Sequence, residues 1–124
     1  MNIPKKLLYT KDHEWVHIEN DVAVIGITDY AQSELGDIIF VELPDENTSF
    51  NCGDTVGTIE AVKTVADIYI PLNGTITEVN RNLEDTPESL NKYPYTTGWI
   101  LKVSNFTKDG SELLSASEYI KLIQ

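Results

Sequence analysis

The sequence predicts a mainly β protein: two antiparallel sheets in a flattened barrel or sandwich, with short helices and a C-terminal helix. Three observations predict it. Val and Ile recur in short runs that alternate with polar residues, as in DVAVIGI and TITEVN. Turn-forming residues interrupt these runs about every ten positions. A capped amphipathic helical pattern closes the chain, after Ser115. The chain has 124 residues, near the commonest size for one domain, so residues 1–124 are expected to share one core.

WVHIEN and DVAVIGI form an expected hairpin with Glu19-Asn20-Asp21 at its turn. TDYAQSELG predicts a short helix: Thr28 is the N-cap, Asp29 lies in the first turn and Gly36 ends it. DIIFVELP reads as a strand closed by Pro44, followed by a polar loop, DENTSFNCGD. TVGTIEAV and TVADIYI are two β runs with Lys63 between them. PLNG is an expected turn, placing Gly53 and Gly74 as turn positions on either side of the Lys63 hairpin. TITEVN and GWILKVS are further strands. TPES predicts a helical turn with Thr86 as cap and Pro87 first. SASEYIKLI opens with a capping box, Ser115 and Glu118, and predicts a helix from about Ala116. GDIIFVE and GDTVGTIE are a faint internal echo, consistent with two similar halves.

Hydrophobic residues make up 41% and charged residues 23%, an ordinary soluble composition, and no apolar run is long enough for a membrane helix. MNIPKKLLYT lacks the apolar core of a signal peptide. Cys52 is the only cysteine, so no internal disulfide forms and a reducing cytoplasm is the expected compartment. Asp54 beside it disfavours a nucleophilic thiolate. The net charge of −11 argues against nucleic acid and anionic membranes, and favours encounters with basic protein surfaces.

His13-Glu14-Trp15-Val16-His17 matches the zinc-protease pattern H-E-x-x-H. That chemistry needs a helix, whereas these residues favour a strand. Strand residues four apart lie about 13 Å from each other, but two ligands of one zinc must approach within about 4 Å. No metal site is expected; the stretch reads as an edge strand with Trp15 in or near the core. No P-loop, nucleophile elbow or dinucleotide fingerprint occurs, and the carboxylates are too scattered to name a catalytic pair.

Lys63 stands apart. Between Lys11 and Arg81 it is the only Lys or Arg, among fourteen Asp and Glu. It falls between two β runs, hence at an expected hairpin tip, with small or β-branched neighbours and with Glu60 and Asp67 nearby. That setting suits a lysine that an enzyme must reach and modify.

EAVKTVADIYIPLNGTITEVN resembles the lipoyl-attachment segment of the glycine cleavage system H proteins. YTKDHEWV, VGITDYAQSELGDIIFVELP, PYTTGWILKVS and ELLSASEYIKLI resemble the same family in order and spacing, covering nearly the whole chain. The resemblance implies a lipoyl/biotinyl-domain-like barrel-sandwich hybrid with covalent lipoate on Lys63. It implies a monomeric carrier, not an enzyme. The carrier takes the aminomethyl group of glycine from a pyridoxal-phosphate glycine decarboxylase (P protein). It presents that group to a tetrahydrofolate-dependent aminomethyltransferase (T protein), and dihydrolipoyl dehydrogenase (L protein) reoxidises it. Lipoate-attaching enzymes are further implied partners, with Glu60 and Gly74 as their recognition residues. Glu14, Asp67 and His13 are implied as the cleft for the loaded arm. Three other readings stay open. A biotin carrier lacks support because Val62 and Thr64 stand where such domains carry Met. A lipoyl domain of a 2-oxoacid dehydrogenase would lack the HEWV start and the final helix. An H-type relay that donates lipoate to other 2-oxoacid dehydrogenase complexes would share the fold and the lysine.

Overall fold

The computed structural model describes residues 1–124. Nine strands are present: β1 (Leu8–Tyr9), β2 (Glu14–Glu19), β3 (Val22–Ile27), β4 (Ile38–Glu42), β5 (Thr48–Phe50), β6 (Thr55–Ala61), β7 (Val65–Tyr69), β8 (Asn73–Val79) and β9 (Leu101–Thr107). Four helices complete the chain: α1 (Asp29–Leu35), α2 (Asn82–Asp85), α3 (Ser89–Lys92) and α4 (Ala116–Ile123). The strands form two sheets, one of six in the order β1-β2-β3-β9-β8-β5 and one of three in the order β4-β6-β7. Every pairing is antiparallel.

Alternation explains how the sheets close on each other. In β3, Ala23 and Ile25 point inward, and in β9 Leu101 and Val103 do the same; all four are at most 1% exposed. They meet Ile59, Ile68, Ile76 and Leu90 in one cluster of 18 buried residues. A smaller cluster, Tyr9, Trp15, Ala116 and Tyr119, fixes α4 against the outer end of the six-stranded sheet. The rings of Tyr9 and Tyr119 stack there with centroids 4.7 Å apart.

The expected caps are present. Thr28 Oγ1 accepts the Ala31 N–H at 3.1 Å, and Gly36 ends α1 with φ of 79°, a conformation that glycine adopts without a Cβ penalty. Ser115 and Glu118 exchange both bonds of a capping box at the start of α4. The two echo segments become β4 and β6, which pair with each other, Val41 facing Ile59.

Four expectations are corrected. The stretch holding Trp15 is not an edge strand: β1 pairs on its outer side, Leu8 facing Val16 and Tyr9 facing Trp15. The expected polar loop contains β5, whose Thr48, Ser49 and Phe50 pair with β8. Both β1 and β5 are too short to show a period. Gly74 is not at a turn. It lies in β8 opposite Phe50, where a Cβ would come within 2.5 Å of Val103 Cγ1 and 3.1 Å of the Ser104 carbonyl. The glycine is demanded by close approach to β9, and the chain bends earlier, at Pro71 and Leu72. Thr86 does not cap the second minor helix; it ends α2, and α3 begins at Ser89.

Candidate lysine site and cavity

The Lys63 hairpin is built by β6 and β7, paired from Thr55 opposite Tyr69 to Glu60 opposite Val65. The Ala61 N–H donates to the Thr64 carbonyl at 2.8 Å and closes the tip. The Val62 N–H donates to the Asp37 carbonyl at 3.1 Å, tying the tip to the entry of β4. Val62, Lys63 and Thr64 are all exposed. No ion pair or hydrogen bond engages the Lys63 ammonium, so the amine stands free on a tightly held backbone.

β7 is the edge of its sheet. Its outward row, Val65, Asp67 and Tyr69, starts beside Lys63, while Ile68 turns inward and is 2% exposed. At about 3.3 Å per residue, the path from Lys63 to Tyr69 is roughly 20 Å. At its far end lies an open cavity of about 200 Å³, walled by Thr10, Asp12, Glu14, Cys52, Tyr69 and Ile70 among others.

Glu14 is the buried charge-bearing group of that cavity, 3% exposed. Its Oε2 accepts the Tyr69 N–H at 2.9 Å, an amide that the strand edge would otherwise leave unpaired. Its Oε1 accepts the Thr10 hydroxyl at 3.1 Å. Thr10 Oγ1 in turn accepts the Asp12 and Glu14 N–H groups, each at 3.2 Å, which fixes the loop before β2. Burial pushes the Glu14 carboxyl up from 4.5 to about 8, against the lowering effect of those two bonds. A buried carboxylate without a cation is costly, so the group keeps its proton.

The folded chain therefore binds the Glu14 proton more tightly than the unfolded one. The stability this contributes is fully present below about pH 4.5 and is lost as pH rises to about 8. A tenfold difference in proton affinity between the two states is worth about 1.4 kcal/mol. Urea unfolding from pH 5 to 8 is expected to show a decline that flattens in Glu14→Gln; parallel curves for the two proteins would contradict it.

The structure does not bring all the expected cleft residues together. Asp67 is exposed on the β7 row that leads to the cavity, opposite Thr58. His13, at φ of 67° in the preceding turn, faces away from the cavity. Its Nδ1 lies 2.9 Å from Tyr119 Oη, which is 2.7 Å from Thr28 Oγ1, and its ring packs on Tyr30. Burial holds its pKa down, with Asp12 and Glu34 opposing. His13 thus joins α1 to α4. Glu60 is exposed three residues before Lys63, between Phe40 and Val65 on the outer sheet face. Gly74 lies at the β8–β9 contact. His17 sits in β2 with Nε2 3.2 Å from Glu19 Oε2, and no group of three or more His, Cys, Asp or Glu is arranged around a point that could hold a metal ion. Thr10 and Tyr69 were not legible as site residues; Tyr69 contributes a backbone amide, which leaves no side-chain signal.

A two-sheet β fold that presents a free lysine on a tight hairpin tip has the form of a domain carrying a covalently attached group. The family described as "Glycine cleavage H-protein" matches residues 7–124. A glycine cleavage system H protein of Herpetosiphon aurantiacus is 55% identical over 122 residues, spanning 98% of this chain and 94% of that protein. One of Staphylococcus epidermidis is 52% identical, spanning 99% and 98%. The crystal structure of a glycine cleavage system H protein from Mycobacterium marinum superposes with a TM-score of 0.89 at 37% identity, over 96% of this chain and 97% of that one. The chain belongs to the glycine cleavage H-protein family, and its role is that of a lipoyl carrier in the glycine cleavage system.

Proposed function

We propose that lipoate is joined in amide linkage to Lys63 and that the chain is the moving substrate of three enzymes: a pyridoxal-phosphate glycine decarboxylase, a tetrahydrofolate-dependent aminomethyltransferase and dihydrolipoyl dehydrogenase. The observation that carries this reading is the free Lys63 amine at the start of the row Val65–Asp67–Tyr69, which ends at the Glu14 cavity. The residues fit the group. The lysine is exposed and unpaired, and its neighbours Val62 and Val65 offer apolar surface to a hydrocarbon arm. When bound, lipoate supplies a cyclic disulfide that takes up the aminomethyl group and is left as a dithiol for reoxidation.

The chain's own residues then position the group. Lys63 is fixed at one point, so a group attached to it visits nearby sites at high effective concentration. Asp67, exposed on the row, attracts a cationic amine towards the cavity. Glu14, whose carboxyl burial raises to about 8, gives its proton to solvent in the open cavity as an amine cation arrives beside Oε2 or Oε1. The cavity thereby exchanges a proton for a cation and buries no unpaired charge. Tyr69, Ile70 and Cys52 line the cavity beside Glu14.

The test is reconstitution. The lipoylated chain, mixed with the three enzymes, glycine, tetrahydrofolate and NAD, is expected to give NADH only when glycine is present. No glycine-dependent NADH from a fully lipoylated chain would overturn this reading.

The acidic surface adds a further expectation. Asp and Glu number 20 against 9 Lys and Arg. A carrier that meets several enzymes in turn gains from long-range attraction, which speeds encounter without tight final binding. Salt screens it over a Debye length of about 8 Å at physiological strength. The apparent Michaelis constant of the decarboxylase for the lipoylated chain is expected to rise steadily with salt; a flat response would assign the charge to solubility alone.

A further inference from the structure

The outer face of the β4-β6-β7 sheet carries an apolar patch beside Lys63. Phe40, Glu60 and Val65 are register neighbours across its three strands. Phe40 is 50% exposed, Val65 61% and Val62, at the tip, 66%. The register slips between Ile38 and Phe40, a bulge that re-aims side chains. As a result Ile39 and Phe40, consecutive in sequence, both face solvent; Ile39 is 55% exposed. Regular alternation would have buried one of them. Half of the eight large hydrophobic residues exposed on this chain therefore gather at the end of one small sheet, and a gathered apolar patch marks an interaction surface.

The position decides the occupant. An unmodified lysine reaches only on the order of 6 Å from its Cα, the length of its four-carbon stem. An enzyme that acylates Lys63 must bring its active site to the hairpin tip, and its surrounding surface must then cover the neighbouring face of β4 and β7. An attached lipoyl arm lengthens that reach, so an enzyme that acts on its far end is not obliged to cover this face. We propose that Ile39, Phe40, Val62 and Val65 form the docking surface for the lipoate-attaching enzyme. That enzyme meets them with an apolar recess that sets one Lys or Arg opposite Glu60, at the middle of the row, and further basic residues on the side facing the next outward row, Glu42 and Asp67. The proposal rests on Lys63 being the acceptor.

The experiment uses an ATP-dependent lipoate ligase and the full chain. Phe40→Ser and Ile39→Ser are each expected to raise the ligase's Michaelis constant for the chain about tenfold, with kcat near wild type, as for loss of an apolar anchor. Ile120→Ser, at an exposed position on α4, is the control and is expected to leave it unchanged. Michaelis constants within twofold of wild type for both sheet variants would overturn the proposal. A competition arm needs no acylation. The Lys63→Arg chain is expected to inhibit lipoylation of wild type, and Lys63→Arg/Phe40→Ser to inhibit about tenfold more weakly; equal inhibition overturns the proposal. A wild-type dimer dissolved by Phe40→Ser, seen by sedimentation, would assign the patch to self-association and also overturn it. Peptide mapping of the product tests Lys63 itself. Lipoate found on another lysine would sink the acceptor reading, while the competition arm still reads the patch.

Discussion

Lys63→Arg is expected to bring glycine-dependent NADH formation in the reconstituted system down to the level without any carrier. The guanidinium keeps the charge but stays protonated and cannot be acylated. Its stability is expected to match wild type, because Lys63 is exposed and makes no ion pair. That separation is the informative part. Loss of activity with an unchanged melting temperature points to a missing attachment point, whereas a lowered one would point to a damaged fold. Residual activity above about a tenth of wild type would show that another residue serves.

Ile59→Ala is expected to destabilise the chain by about 2–5 kcal/mol, through lost burial and the cavity left behind. Ile59 is 1% exposed, sits on β6 opposite Val41 and Ala66, and belongs to the main core cluster. Against a total stability of roughly 5–15 kcal/mol this is a large fraction. Thermal unfolding should shift down by on the order of 10 °C. A shift below about 2 °C would mean that the core beneath the Lys63 hairpin packs more loosely than its burial shows.

The sequence was most legible where one local device decides the outcome. Thr28 and Gly36 bracket α1, Ser115 and Glu118 start α4, and Asn20-Asp21 turn β2 into β3, each by chemistry confined to a few residues. The hairpin that carries Lys63 was legible because its two strands are adjacent in sequence. The features that escaped depend on distant partners. β1 exists because Tyr9 pairs with Trp15 and bridges to Leu114, and β5 because β8 lies beside it. Gly74 looked like a turn residue because PLNG has turn composition, yet Val103 and Ser104, far along the chain, demand it. The Glu14 site joins a side chain to an amide fifty-five residues away, and no periodicity encodes that. His13 follows the same rule: adjacent to Glu14 in sequence, it is turned by its positive φ towards Tyr119 instead.

One lysine, held free at a hairpin tip, is the proposed attachment point of the prosthetic group. Intact mass spectrometry after treatment with a lipoate ligase, ATP and lipoate tests this most directly. The wild-type chain should gain the mass of a single lipoyl group, located on Lys63 by peptide mapping, and Lys63→Arg should gain none. A lipoyl mass on the Lys63→Arg chain would contradict the account.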